Sequence, residues 1–166
     1  MATLSAWKFD SADGASEATE QLEHLIEAGQ IEVHDAAIVV WPAGKKKPKT
    51  HHLNHLAARG SLSGGFWGLL FGLVFFVPLI GVAIGAALGA MSGALVDTGV
   101  GEDFIEAVRE KVTPGTSALF VLSDNAVVDK VSEAFEGLHP HLVTTNLSKE
   151  QETKLRAAFE DDEDED

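Results

Sequence analysis

From Gly60 to Val96 the chain runs 37 residues without a charged side chain. Eight glycines recur in this run at intervals of four, as two sets: Gly60, Gly64, Gly68, Gly72, then Gly81, Gly85, Gly89, Gly93, with Pro78 between them. On a helix such a ladder lays a strip of bare backbone down one side, where another helix can approach closely. It is a device for packing and carries no chemistry of its own, so it says more about architecture and assembly than about activity.

An unbroken helix over the run would be roughly 55 Å long, far beyond the ~30 Å core of a bilayer. Divided at Pro78, the run gives two arms, Gly60–Val77 and Leu79–Val96, of 18 residues each. Each arm would be about 27 Å long as a helix, near the short limit for a span. The pattern therefore predicts a helical hairpin bent at Pro78. Its tip, Phe75 to Gly81, has no polar side chain and is expected to stop within lipid or against sister subunits. The first arm is bulky (Phe66, Trp67, Leu69, Leu70, Phe71, Phe75, Phe76) and the second mostly small (Ala83, Ala86, Ala87, Ala90, Ala94). Bulky faces are expected to meet lipid while the glycine faces press together. A soluble oligomer with a dry helical centre, or an ordinary intrachain core, would also cover such a hairpin.

The flanks read as a soluble frame. Thr3 to Phe9 predicts a strand with Leu4, Ala6 and Lys8 on one face and Ser5, Trp7 and Phe9 on the other. Asp10-Ser11 can cap the helix that follows, whose Ala15, Ala18, Leu22, Leu25 and Ile26 recur at helical spacing up to Gly29, a natural terminator. Val33 to Trp41 predicts a strand buried on both faces, stopped by Pro42. After the insertion come a helix over Glu102 to Val112, a strand over Thr116 to Leu122 and a helix over Asn125 to Phe135 capped by Ser123-Asp124. A strand over Leu142 to Asn146 follows, and then a terminal helix opened by a Ser148–Gln151 capping box. The order strand-helix-strand, strand-helix-strand predicts an α+β fold, a ferredoxin-like βαβ-βαβ sandwich with helices on one face of an antiparallel sheet; an open α/β sheet is the competitor. Residues 1–54 and 100–159 are then the two halves of one domain. Residues 55–99 form an inserted glycine-zipper hairpin, and 160–166 an acidic tail. Both halves must lie on one side of any membrane.

The net charge of −14 is half local, because Glu160 to Asp166 are seven consecutive acids. Acidity without a basic aromatic face argues against a nucleic-acid partner. Five bases nevertheless gather just before the hairpin: Lys45, Lys46, Lys47, Lys49 and Arg59. They are expected to contact anionic lipid headgroups, each contributing about 1 kcal/mol near the surface, and to hold both hairpin ends in the cytoplasm. A solvated loop, or a contact for the acidic tail, is the alternative. Cysteine is absent, which excludes disulfides, thiolate metal sites and a cysteine nucleophile. The N-terminus has neither the basic start nor the apolar run of a signal peptide. His51, His52 and His55 invite a metal, since 51 and 55 would share a helical face, yet no carboxylate or cysteine adjoins them in sequence. No phosphate loop, nucleophile elbow or dinucleotide fingerprint is present, and Asp10 and Asp35 sit at strand ends where turn-making is the default. No catalytic residue, metal or cofactor is therefore assigned.

Four stretches resemble a bacterial family of unknown function that is labelled uncharacterised membrane protein and is akin to general stress proteins. They are Ala6-Trp7-Lys8-Phe9-Asp10, Asp35-Ala36-Ala37-Ile38-Val39-Val40-Trp41-Pro42, Phe66-Trp67-Gly68-Leu69-Leu70-Phe71-Gly72 and Pro114-Gly115-Thr116-Ser117-Ala118-Leu119-Phe120-Val121-Leu122. The resemblance implies a compact α/β frame with a glycine-zipper hairpin, and implies no activity. The resulting expectation is a non-enzymatic protein that self-assembles through its glycines in or on the cytoplasmic membrane, in a stress-related or envelope-scaffolding role. A soluble homo-oligomeric particle in the cytoplasm and a small-molecule sensor are the alternatives.

Overall fold

A computed structural model describes residues 2–57, 64–76, 100–151 and 153–154. Arg59, Gly60, Pro78, Gly81, Gly85, Gly89 and Gly93, with the second arm and the acidic tail, lie outside the described residues. The protein is a mixed α+β structure built on a five-stranded sheet whose pairings are all antiparallel. The strands are β1 (Ala2–Phe9), β2 (Asp35–Val40), β3 (Lys49–His52), β4 (Ser117–Asp124) and β5 (His141–Leu147), in the order β3-β2-β4-β1-β5.

Side-chain parity on these strands separates two apolar layers. Trp7, Phe9, Ala36, Ile38, Leu119 and Val121 point to one face. There they meet Ala15, Ala18 and Leu22 of α1 (Gly14–Glu27) and Val131 of α2 (Asn125–Ala134), with Phe135 just beyond it. Trp7 and Phe135 meet edge to face, with ring centroids 5.3 Å apart. Gly29 ends the first helix as the sequence predicts: at φ +73° it occupies the left-handed region that costs glycine least. The cap expected from Asp10-Ser11 is not made. Asp13 occupies the N-cap without a side-chain bond, and Asp10 instead pairs with Lys8 at 2.6 Å. Asp124 likewise makes no side-chain cap; its carboxylate lies 3.2 Å from His34 Nε2. The Ser148–Gln151 box does form, with Ser148 N–H donating to Gln151 Oε1 at 2.9 Å and Gln151 N–H donating to Ser148 Oγ at 3.1 Å.

The opposite face is also covered, which departs from the expectation of helices on one side. Ala2, Leu4, Ala6, Ala37, Val39, Ala118, Phe120 and Leu122 point to this face. They pack against α3 (Gly64–Phe71), its π-helical continuation Gly72–Phe76, and α4 (Glu102–Lys111). Register explains the fit. Phe120 pairs with Ala6 on one side and Ala37 on the other, so one ring stands between two methyl groups. The hollow beside it takes Phe71, whose ring lies 5.1 Å from Phe120 at 70°. Phe66, Trp67, Leu70, Phe71 and Phe75 are thus buried within the chain rather than lipid-facing, each at 3% exposure or less. Burying each such side chain contributes about 1.5–3 kcal/mol. Gly68 lies on the outward side of α3, and a Cβ built there meets nothing within 4 Å. Among the described residues no helix is long and apolar enough to cross a membrane.

Candidate functional site

Asp35 opens β2, and its parity places it on the same face as Ala37 and Val39, under α3. It is fully buried. β3 runs beside β2 with His52 opposite Ala37, one strand position from Asp35 on that same face. His52 Nε2 lies 2.9 Å from both carboxylate oxygens of Asp35. From above, Trp67 of α3 donates its indole N–H to Asp35 Oδ2 at 3.1 Å, and the Ala36 N–H donates to Oδ1 at 2.9 Å. A buried carboxylate needs such donors, because desolvation penalises an unpaired charge. The cluster therefore ties three elements together: the edge strand, its neighbour and the helix that covers them. The His52 side chain is 19% exposed while its Nε2 is turned to the carboxylate.

Sequence reasoning assigned these residues otherwise. Asp35 read as a turn-maker, His52 as one of a histidine trio that invites a metal, and Trp67 as a lipid-facing ring. Two signals pointed here: an acid placed directly before a strand buried on both faces, and an indole whose N–H needs a partner when buried. The histidine trio does not converge. His51 and His52 are successive strand residues and so point to opposite faces, while His55 sits in a short 3₁₀ turn, 62% exposed and 3.8 Å from Glu23. Among the described residues no group of three or more metal-ligating side chains is close enough to hold an ion.

A second grouping lies where the described chain ends after α3. Arg109, on α4, donates from Nη2 to Leu73 O at 2.6 Å and from Nε to Val74 O at 3.1 Å. It thereby ties α4 to the backbone of the π-helical turn with charge-assisted hydrogen bonds. Phe75 meets Trp41 edge to face at 5.8 Å, and the Trp41 indole donates to Lys45 O at 3.0 Å. That bond places the turn between β2 and β3 at the same end of the molecule. Lys45, Lys46, Lys47 and Lys49 are all exposed on this hairpin, and none pairs with an acid among the described residues. Between these parts lies an open pocket of about 140 Å³. Trp41, Val74, Phe75, Val112 and Pro114 form its apolar wall, with Arg109 and Thr113 as its polar residues. Of the predicted lysine collar, the four described members therefore lie on one hairpin, whose turn sits beside Phe75. Arg109 borders the same pocket from α4.

Of the ladder glycines, Gly64 begins α3, Gly68 faces outward and Gly72 begins the π-helical turn. No curated protein and no solved structure matches the chain. Residues 61–160 match the family model described as "Protein of unknown function (DUF1269)". The matched stretch supplies α3, α4, β4, α2 and β5, whereas the central strand β1 and the edge pair β2–β3 precede it. With well over half its length inside that match, the chain belongs to this family of unknown function.

Proposed function

We propose that the protein is a non-enzymatic, self-assembling membrane-associated protein, with its α/β frame on the cytoplasmic side. We read that frame as ferredoxin-like: with β3 set aside, the order β2-β4-β1-β5 is that of two interlocked βαβ units. The observation that carries the reading is the gathering of the lysine hairpin, Arg109 and the aromatic Phe75 of the π-helical turn at one end. Phe75 and Val100 belong to one buried cluster, so both lie over the same face of the sheet. The 23 residues from 77 to 99 are too few for two helical crossings of about 20 residues each. This narrows the expected hairpin to entry into one leaflet or contact with sister copies through the glycines. A stress-related or envelope-scaffolding role fits the resemblance. The soluble homo-oligomer is the second reading, favoured by the open space around Gly68.

Flotation with vesicles tests the membrane reading. The protein should float with anionic vesicles and less with zwitterionic ones. Replacing Lys45, Lys46 and Lys47 by glutamine should weaken binding by about 3 kcal/mol, or roughly 150-fold. Full recovery as a defined detergent-free particle, unmoved by anionic vesicles, would favour the soluble assembly instead. Loss of that particle on Gly85→Leu or Gly89→Leu would assign the contact to the ladder.

A further inference from the structure

Arg109 is held by backbone and not by a carboxylate: among the described residues it makes no ion pair. Its Nε and one N–H of Nη2 are committed to backbone carbonyls, which fixes the guanidinium plane. The Nη1 edge keeps its donors, and the residue borders the pocket together with Thr113, whose hydroxyl makes no hydrogen bond among the described residues. The remaining wall is apolar: the Trp41 and Phe75 rings, Val74, Val112 and Pro114. A pocket of about 140 Å³ is close in size to an engineered apolar cavity that takes up benzene.

We propose that this pocket binds a small amphiphilic anion: an apolar group of about six carbons carrying a carboxylate or a phosphate. The anion lies on the Nη1 edge of Arg109 and the Thr113 hydroxyl, and the apolar group enters between Trp41 and Val112. A held guanidinium suits this task because its donors are already oriented, so little rotamer freedom is lost on binding. The anion could come from a free short-chain acid or from the head of an anionic lipid whose chain starts in the pocket. The site stands apart from the assembly reading, since it needs no bilayer and no second copy.

Titration of the full-length protein with hexanoate, dihexanoylphosphatidylglycerol and hexan-1-ol, followed by nitrogen–proton correlation spectra, tests the site. The chain has three tryptophans, so its indole N–H signals are few. The Trp41 indole and Arg109 Nε–H signals should shift saturably with an anion at a dissociation constant in the millimolar range, while those of Trp7 and Trp67 stay in place. Hexan-1-ol should bind at least about tenfold more weakly, since it lacks the charge-assisted bonds. Thr113→Phe, at an exposed position, should fill the pocket and abolish the shifts while the rest of the spectrum is kept. Tighter binding of the phosphatidylglycerol assigns the site to lipid, and tighter hexanoate assigns it to a free acid. Absence of saturable shifts, equal affinity for hexan-1-ol, or unchanged affinity in Thr113→Phe would each overturn the proposal. Flotation is scored separately, so loss of membrane binding and loss of this site are told apart.

Discussion

Phe71→Ala tests most directly where the first half of the glycine run belongs. The ring is 3% exposed, 5.1 Å from Phe120 and 5.8 Å from Trp67, on which it stacks. Phe75 adds a third ring at 6.1 Å. Truncating a phenylalanine in such a setting removes its transfer energy and leaves a cavity that the flanking sheet, fixed by two ladders, cannot close. The expected cost is about 3–5 kcal/mol. With a urea slope of about 2 kcal/mol per molar, a loss of ~4 kcal/mol lowers the unfolding midpoint by roughly 2 M. The assay is urea unfolding in a mild detergent, followed by far-ultraviolet circular dichroism, with Leu142→Ala as the control. Leu142 is 40% exposed on β5, and its truncation should stay within about 0.5 kcal/mol. If Phe71→Ala costs no more than the control, the ring faces detergent or lipid and the intrachain packing described above is wrong.

Trp67→Phe keeps most of the ring but removes the indole donor from Asp35, and should cost about 1.5–3 kcal/mol in the same assay; a neutral result would mean that the buried carboxylate does not depend on it. Two glycine substitutions should have opposite signs. Gly14→Ala would drive its Cβ into the Phe9 side chain and should destabilise by about 1–3 kcal/mol, whereas Gly68→Ala meets open space within a helix and should stabilise by about 0.5–1 kcal/mol, both read by thermal unfolding. Asp10 is held below its ordinary value of 3.8, first by the hydrogen bond from Lys8, then by the Lys8 charge and more weakly by His141. Because the folded value is the lower one, the pair's stabilisation is present above 3.8 and fades as pH falls through the folded value. Carboxyl-carbon NMR should show the Asp10 midpoint rising in Lys8→Met, and an unchanged midpoint would exclude Lys8 as the cause.

The frame was legible where one physical signal dominated. Alternation placed Leu4 and Ala6 opposite Trp7 and Phe9, and the structure keeps that division. Most helix ends fell within a residue or two, most plainly at Gly29, although the side-chain caps expected from Asp10-Ser11 and Asp124 are not made. β3 was illegible for the opposite reason: Lys49-Thr50-His51-His52 carries no apolar alternation, as suits an edge strand held by one neighbour and by the Asp35 latch. The placement of α3 could not be read either. Its apolar residues lie nearly all round, so periodicity cannot distinguish lipid from protein as the partner. What decides it is the pairing of Phe120 with Ala6 and Ala37, three residues on three strands, and register is invisible until the strands are paired. The Asp35 cluster and the Arg109 contacts share that property. Each joins groups from separate elements, and only the acid that opens β2 and the indole of Trp67 hinted at one of them.

β1 lies second from one edge of the sheet by position, but it is the first strand made, and its neighbours β4 and β5 are the last. Thr3 meets Asn125 and Asn146 across separations of 122 and 143 residues. At ~10 residues per second, a ribosome needs on the order of ten seconds to deliver those partners. The aromatic side of α3 is made about 40 residues ahead of β4, so for about four of those seconds it has no β4 to lie against. Whatever holds the nascent chain during that interval, a chaperone or a membrane surface, meets Phe66, Trp67 and Phe71 before their own sheet does. Late sheet closure then becomes a competition for those rings, and the order of synthesis, as much as the final packing, sets when they leave that first partner.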